Sequence, residues 1–254
     1  MRNIRIISRA DDAGSSNSAN AAVLQVIKAG FIKNVSLMAT GQFIDSAAEM
    51  LAKETSACFG LHATLNAEWD KVKWGPVSDI GKDSGLLDDN GYFLAHPMMF
   101  KETKPDIDAA IKEYNAQLDV LTRLGFNISY VDSHMFEEAF IPGLMEVKKE
   151  WAKNKGLIYH MDCINSPGYR YDKIDINNLG ESFLSMPDGQ YLYVVHPALY
   201  SDEMLQTGHE GYPGERVAKE RARETEVMTD PAFIEFAKNN GIHAIRYDEA
   251  EVKT

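Results

Sequence analysis

Ile4-Arg5-Ile6-Ile7-Ser8-Arg9-Ala10-Asp11-Asp12-Ala13-Gly14-Ser15-Ser16 is the stretch from which the fold of this chain is read. An apolar run of strand length ends in a pair of carboxylates. Ser16 then stands as a helix N-cap, Val23, Leu24 and Ile27 recur at helical spacing to about Lys28, and Gly30 supplies the stop. This is one βα unit with its polar residues at the carboxyl end of the strand. The pattern returns along the whole chain. Further strands are expected over 35–38, 58–65, 128–132, 157–160, 191–196 and 242–245. Helical spacing links Ile107, Ile111, Tyr114, Leu118 and Leu121 up to Gly125. Helices are also expected over 141–155 and 215–228, and Pro231 suits the first position of another. Such alternation argues for an α/β fold with a largely parallel sheet.

The 254 residues suit one barrel-sized catalytic domain spanning 1–254, and the 44% apolar fraction is enough for a large core. Segments 66–103 and 198–214 fit no element. They are long, polar and rich in Gly, Pro and Asp, as functional lids or poorly ordered insertions are. With 26 basic against 38 acidic residues the net charge is −12, which argues against nucleic acid and anionic membranes as partners. Cys58 and Cys163 form no motif and are expected to be reduced core thiols. The opening residues lack a secretory pattern and no run approaches the ~18–20 apolar residues of a membrane helix, so a cytoplasmic location is expected.

Chemistry is concentrated at the strand ends. Asp11 and Asp12 follow the first strand, His62 the third, Asp132 and His134 the fourth, and His196 the sixth. Parallel α/β sheets bring these ends to one face, where active sites lie. Singly, each has a plainer reading: an Asp-Asp turn, a core histidine, a polar turn, a strand end before proline. Their coincidence on one face favours one site. Two imidazoles and a carboxylate hold a divalent metal and leave positions open for water and substrate. A second carboxylate can take a proton and a further histidine can return it. Asp11, Asp12, His62, His134 and His196 supply these five roles. Asp132 is a candidate to orient a nearby His or Arg, and His160, at the end of the fifth strand, is a candidate pocket wall. Trp69, Trp74 and Tyr212 in the long loops are candidates to stack on sugar rings, against local loop packing as the alternative.

At these residues the chain resembles the YdjC-like carbohydrate deacetylases, the family of chitooligosaccharide and hopanoid-linked sugar deacetylases. The resemblance runs through Ala10-Asp11-Asp12-Ala13-Gly14, with Ser16 and Asn20, then Val35-Ser36-Leu37-Met38 and Gly60-Leu61-His62-Ala63-Thr64-Leu65. It continues at Asp132-Ser133-His134 and His196-Pro197, and in the tail at Arg223-Glu224-Thr225-Glu226 and Asp248. It implies a distorted seven-stranded (β/α) barrel, matching the seven strands read above. It also implies one divalent ion, magnesium or zinc, on Asp12, His62 and His134, with Asp11 as base and His196 as acid. Family members are often homodimers.

The implied activity is hydrolysis of an N-acetyl group from an amino sugar or short oligosaccharide. The competing readings are a glycoside hydrolase acting on a disaccharide, phosphorylated or not, and a sugar-binding protein without turnover. Departures from the family pattern are Phe136 in place of a second histidine, Ala198 in place of glycine, Ala13 in place of phenylalanine, and Arg9 in place of a small or polar residue. Phe136 and Ala13 are expected to shape the pocket wall.

Overall fold

The computed structural model describes residues 2–164 and 174–252. Its seven strands are β1 (Ile4–Ala13), β2 (Asn34–Leu37), β3 (Cys58–Ala63), β4 (Ile128–Ser133), β5 (Ile158–Tyr159), β6 (Gly189–Val195) and β7 (Ile242–Ile245). Every expected strand is present, with shifted ends. All ladders are parallel, in the order β5-β4-β3-β2-β1-β6, with β7 also on β1. The sheet curls into an incomplete (β/α) barrel. Among the described residues no ladder joins β5 to β6.

The helices are α1 (Asn17–Ala29), α2 (Ile44–Leu51), α3 (Phe100–Thr103), α4 (Ile107–Arg123), α5 (Leu144–Asn154), α6 (Leu179–Leu184), α7 (Gly214–Thr229) and α8 (Pro231–Asn239). Ser16 caps α1 by accepting from the Ala19 N–H, and Gly30 ends it in the left-handed region at φ 99°. Asp230 caps α8, whose first residue is Pro231 as expected. Helices α2 and α6 were not anticipated. Neither has a side-chain cap, and at 8 and 6 residues they show too few turns to display a period. Segment 66–103 is better packed than a free loop, for it holds α3 and buries Trp74, Leu86, Phe93 and Phe100.

Two-residue alternation sorts the strand side chains. Ile4, Ile6 and Ala10 of β1 face the helices and join Val23, Val26, Val35, Leu61 and Val131 in the main core. Ile7 faces the barrel interior and meets Cys58, Tyr130, Cys163, Ile245 and Tyr247 in a second apolar cluster. The Tyr130 and Tyr247 rings lie 4.1 Å apart there. Gly60 makes room for this pair, since a Cβ on it would lie 2.3 Å from the Tyr130 ring. This cluster is the floor on which the polar interior stands.

Candidate metal centre and active site

Strand β1 gains one residue on its neighbour near its end. Ala10 pairs with Val35 and Ala13 with Leu37, so Asp11 and Asp12 occupy a bulge. Asp12 itself takes the left-handed conformation, at φ 64°. This bend turns both neighbouring carboxylates toward one cavity.

Three donor atoms then meet. Asp12 Oδ1 lies 3.4 Å from His62 Nε2 and 3.5 Å from His134 Nδ1, and the two ring nitrogens are 3.2 Å apart. Ligands of one tetrahedral ion at ~2.0–2.1 Å stand about 3.3–3.4 Å from one another. Asp12 Oδ1 is buried and accepts no hydrogen bond, an expensive state for a carboxylate oxygen unless a cation faces it. The residues present therefore fit a divalent ion.

The remaining atom of each donor is fixed by a charged partner. Asp132 Oδ1 lies 2.7 Å from His62 Nδ1, and Glu68 Oε2 lies 2.8 Å from His134 Nε2. Arg221 Nη2 donates to Asp12 Oδ2 at 2.7 Å. Partners of this kind fix the orientation and tautomer of metal-binding histidines. They also set the charges. Burial opposes ionisation of Asp12, yet Arg221, His134 and His62 hold its carboxyl well below the usual range. Burial disfavours charge on His62 too, but Asp132, Asp11 and Asp12 push its pKa up to about 9. Against the same burial, Glu68 and Asp12 raise His134. The pocket is electrostatically prepared for positive charge at this point.

Arg9 organises the next layer. Its Nε and Nη2 donate to the two oxygens of Asp11 at 2.6 and 2.7 Å, and its Nη1 reaches Asp132 Oδ2 at 2.8 Å and Tyr247 Oη at 3.1 Å. Asp11, His62 and Asp132 form a second group with ligand-like spacing. The guanidinium already supplies the positive charge between those carboxylates, which makes the Asp12–His62–His134 triangle the better cation site.

His196 follows β6. Its backbone N–H donates to the half-buried Glu224 at 2.6 Å, and its side chain lines the same cavity. The cavity, about 950 Å³, also includes Trp69, Phe136, His160, His209 and Tyr212 on its walls. Trp69 stacks on His209 at 6.1 Å and lies 6.2 Å from Tyr212. The Asp70 N–H donates to Gly208 at 2.8 Å, which ties the two long loops together over the mouth. Trp74 is a correction. It is buried, donates from Nε1 to the Asn66 carbonyl and packs edge-on against His134, so it buttresses a ligand rather than meeting a sugar.

Phe136 is 44% exposed and, with Met135, adopts left-handed backbone at φ 57° and 55°. A buried cluster underlies this strained segment. Tyr114 donates to Glu137 at 2.9 Å, Lys148 pairs with Glu137 at 3.2 Å, and Ser133 donates to Glu138 at 2.5 Å.

The structure thus brings Asp11, Asp12, His62, Asp132, His134, His160 and His196 together. Arg9, Glu68, Arg221 and Glu224 are the functional neighbours that sequence reasoning missed. Arg9 was visible only as a departure from the family pattern, and Glu224 only as part of the tail match. Glu68 and Arg221 carried no local signal.

The description YdjC-like protein belongs to a family model that matches residues 5–239. A carbohydrate deacetylase of Thermoanaerobacter pseudethanolicus is 24% identical over 95% of this chain and 97% of its own length. One from Clostridium beijerinckii is 23% identical over 97% of this chain and 100% of its own. A crystal structure from Enterococcus faecalis, of a protein assigned to cellobiose-phosphate cleavage, superposes with a TM-score of 0.78. It is 19% identical and covers 97% of this chain and 98% of the other, a likeness of fold.

Proposed function

The chain belongs to the YdjC-like family, and from that premise we propose that it is a metal-dependent carbohydrate deacetylase that hydrolyses an N-acetyl group of an amino sugar or short oligosaccharide. The observation that carries the reading is the triangle of Asp12 Oδ1, His62 Nε2 and His134 Nδ1, 3.2–3.5 Å on a side, with the Asp12 oxygen unpaired. A divalent ion held there, zinc or magnesium, would polarise the amide carbonyl and acidify the attacking water.

The chain's own groups do the rest. Asp11 takes the water proton. Each of its oxygens keeps a free lone pair beyond the Arg9 bond, so the clamp aims the base without consuming it. His196, just past the end of the neighbouring strand β6, delivers a proton to the departing amine. Asp132 holds His62 and Arg9 in place. Trp69 and Tyr212 offer ring faces to the sugar, and Phe136 lines the same cavity. The sequence readings of a cytoplasmic location and a homodimer accompany this proposal. Among the described residues no helix is long and apolar enough to cross a membrane.

Cleavage of a glycosidic bond is the weaker reading. Two carboxylates would have to flank that bond across a gap of at least about 5 Å, whereas Asp11 is clamped by Arg9 and Asp12 faces two imidazoles. An acetate-release screen over N-acetylated sugars, with metal-reconstituted protein, tests the proposal. Acetate and free amine in equal amounts are expected. Binding of such sugars without acetate release would favour a sugar-binding protein instead.

A further inference from the structure

The cavity does not end at the metal triangle. Register places the interior residues in layers: Arg9 pairs with Val194, Ile7 with Leu192, and His62 with Asp132. Val131 pairs with Tyr159, which sets His160 level with Asp132. Below Asp11 the cavity wall therefore includes Val194 and Leu192, together with Ile164 and His160. Leu192 and Val194 alternate with the buried Tyr191, Tyr193 and Val195 and are themselves half-buried. His160 is 1% exposed, and neither ring nitrogen has a hydrogen-bond partner. Its Nε2 stands 3.9 Å from Glu138 Oε1, too far for a bond. An imidazole buried with both nitrogens unpaired costs free energy that a bound polar group would recover.

Resting on the deacetylase reading, we propose that this inner chamber is the acyl subsite and that it takes an acyl group longer than acetyl carrying a hydroxyl, bound by His160. With the sugar at the aromatic mouth and the carbonyl at the triangle, the alkyl end of the acyl group points inward. Three aliphatic side chains receive its carbon atoms. His160 meets its one polar atom, and burial keeps that imidazole uncharged by lowering its pKa. The reaction is ordinary hydrolysis. Water oxygen bonds to the acyl carbon, the C–N bond breaks, the proton passes to the amine, and a hydroxy-carboxylate leaves.

The test compares glucosamine and its disaccharide carrying N-acetyl, N-propionyl or N-glycolyl groups, followed by amine release. Propionyl and glycolyl have similar shape and differ by methyl against hydroxyl. The glycolyl form is expected to exceed the propionyl form about tenfold in kcat/KM, the scale of one hydrogen bond. In His160→Leu that ratio should collapse toward one. In Val194→Phe, a filled chamber should cut propionyl relative to acetyl by about tenfold. Acetyl turnover with both longer groups excluded overturns the inference alone. So does an equal rate for glycolyl and propionyl in the unaltered protein, which needs no variant to fold. No hydrolysis of any of the three overturns the deacetylase reading as well.

Discussion

The two walls of the barrel interior, at the level of Arg9 and Asp132, are made of opposite materials. On the β1–β4 side charged groups are paired. Arg9 bridges Asp11 and Asp132, Asp132 also holds His62, and Ser36 and Tyr130 close the network beneath. On the β5–β6 side the wall is aliphatic, strand β5 has two residues, and neither ring nitrogen of His160 makes a hydrogen bond. One wall has spent its hydrogen-bonding capacity on holding donors rigid; the other has kept space. A parallel barrel that closed fully would have packed that space with side chains. The contrast between the two walls lets the same short interior both fix a cation site and admit a substrate.

Removing a donor from the rigid wall is expected to have the largest effect. His62→Ala and His134→Ala should each purify without stoichiometric metal and without measurable deacetylation. Elemental analysis of the folded variants checks this, and full metal occupancy in either would remove that residue from the ligand set. Next come the groups assigned to proton transfer. Asp11→Asn and His196→Ala should keep the metal and lose ~10²–10⁴-fold in turnover. A metal-free His196→Ala protein would show that its role had been misassigned.

A smaller loss is expected one step away from the triangle. Asp132→Asn leaves His62 Nδ1 and Arg9 Nη1 without a charged partner. Metal affinity should weaken ~10–100-fold, as for other partners of metal-binding histidines. Competition with a fluorescent chelator measures it, and an unchanged affinity would mean that the ring is held by packing alone.

The smallest effect concerns the support under Phe136. Burial pushes the Glu137 carboxyl up from its ordinary 4.5 to about 7, with Lys148 opposing and Glu138 adding to the shift. Between those values the folded chain keeps a proton that the unfolded chain has released. Stability from this group therefore falls as pH rises through that window and does not return above it. Glu137→Gln carries no such penalty and should flatten the slope. Urea unfolding on either side of the window checks this, and parallel pH curves for variant and parent would contradict it.

The strands and the placement of their terminal Asp and His residues were legible because both depend on local pattern. Apolar runs report β1 to β7, and a parallel sheet forces their carboxyl ends onto one face. The partners of those residues were not legible. Arg221 meets Asp12 across 209 residues of chain, from helix α7, and no periodicity in α7 marks it. Glu68 lies in a loop whose path is set by the burial of Trp74 and Phe93. The bulge at Asp12 was hidden for a different reason. An aspartate at φ 64° is uncommon and costs energy outside glycine, so residue propensity gives no sign of it.

The central claim is that Asp12, His62 and His134, rather than the neighbouring Asp11, His62 and Asp132, hold a divalent ion. Anomalous diffraction at the zinc edge, from crystals grown with zinc, tests it most directly. One peak is expected ~2.0–2.2 Å from Asp12 Oδ1, His62 Nε2 and His134 Nδ1. A peak beside His62 Nδ1, between Asp11 and Asp132, or no peak in the cavity at all, would contradict it.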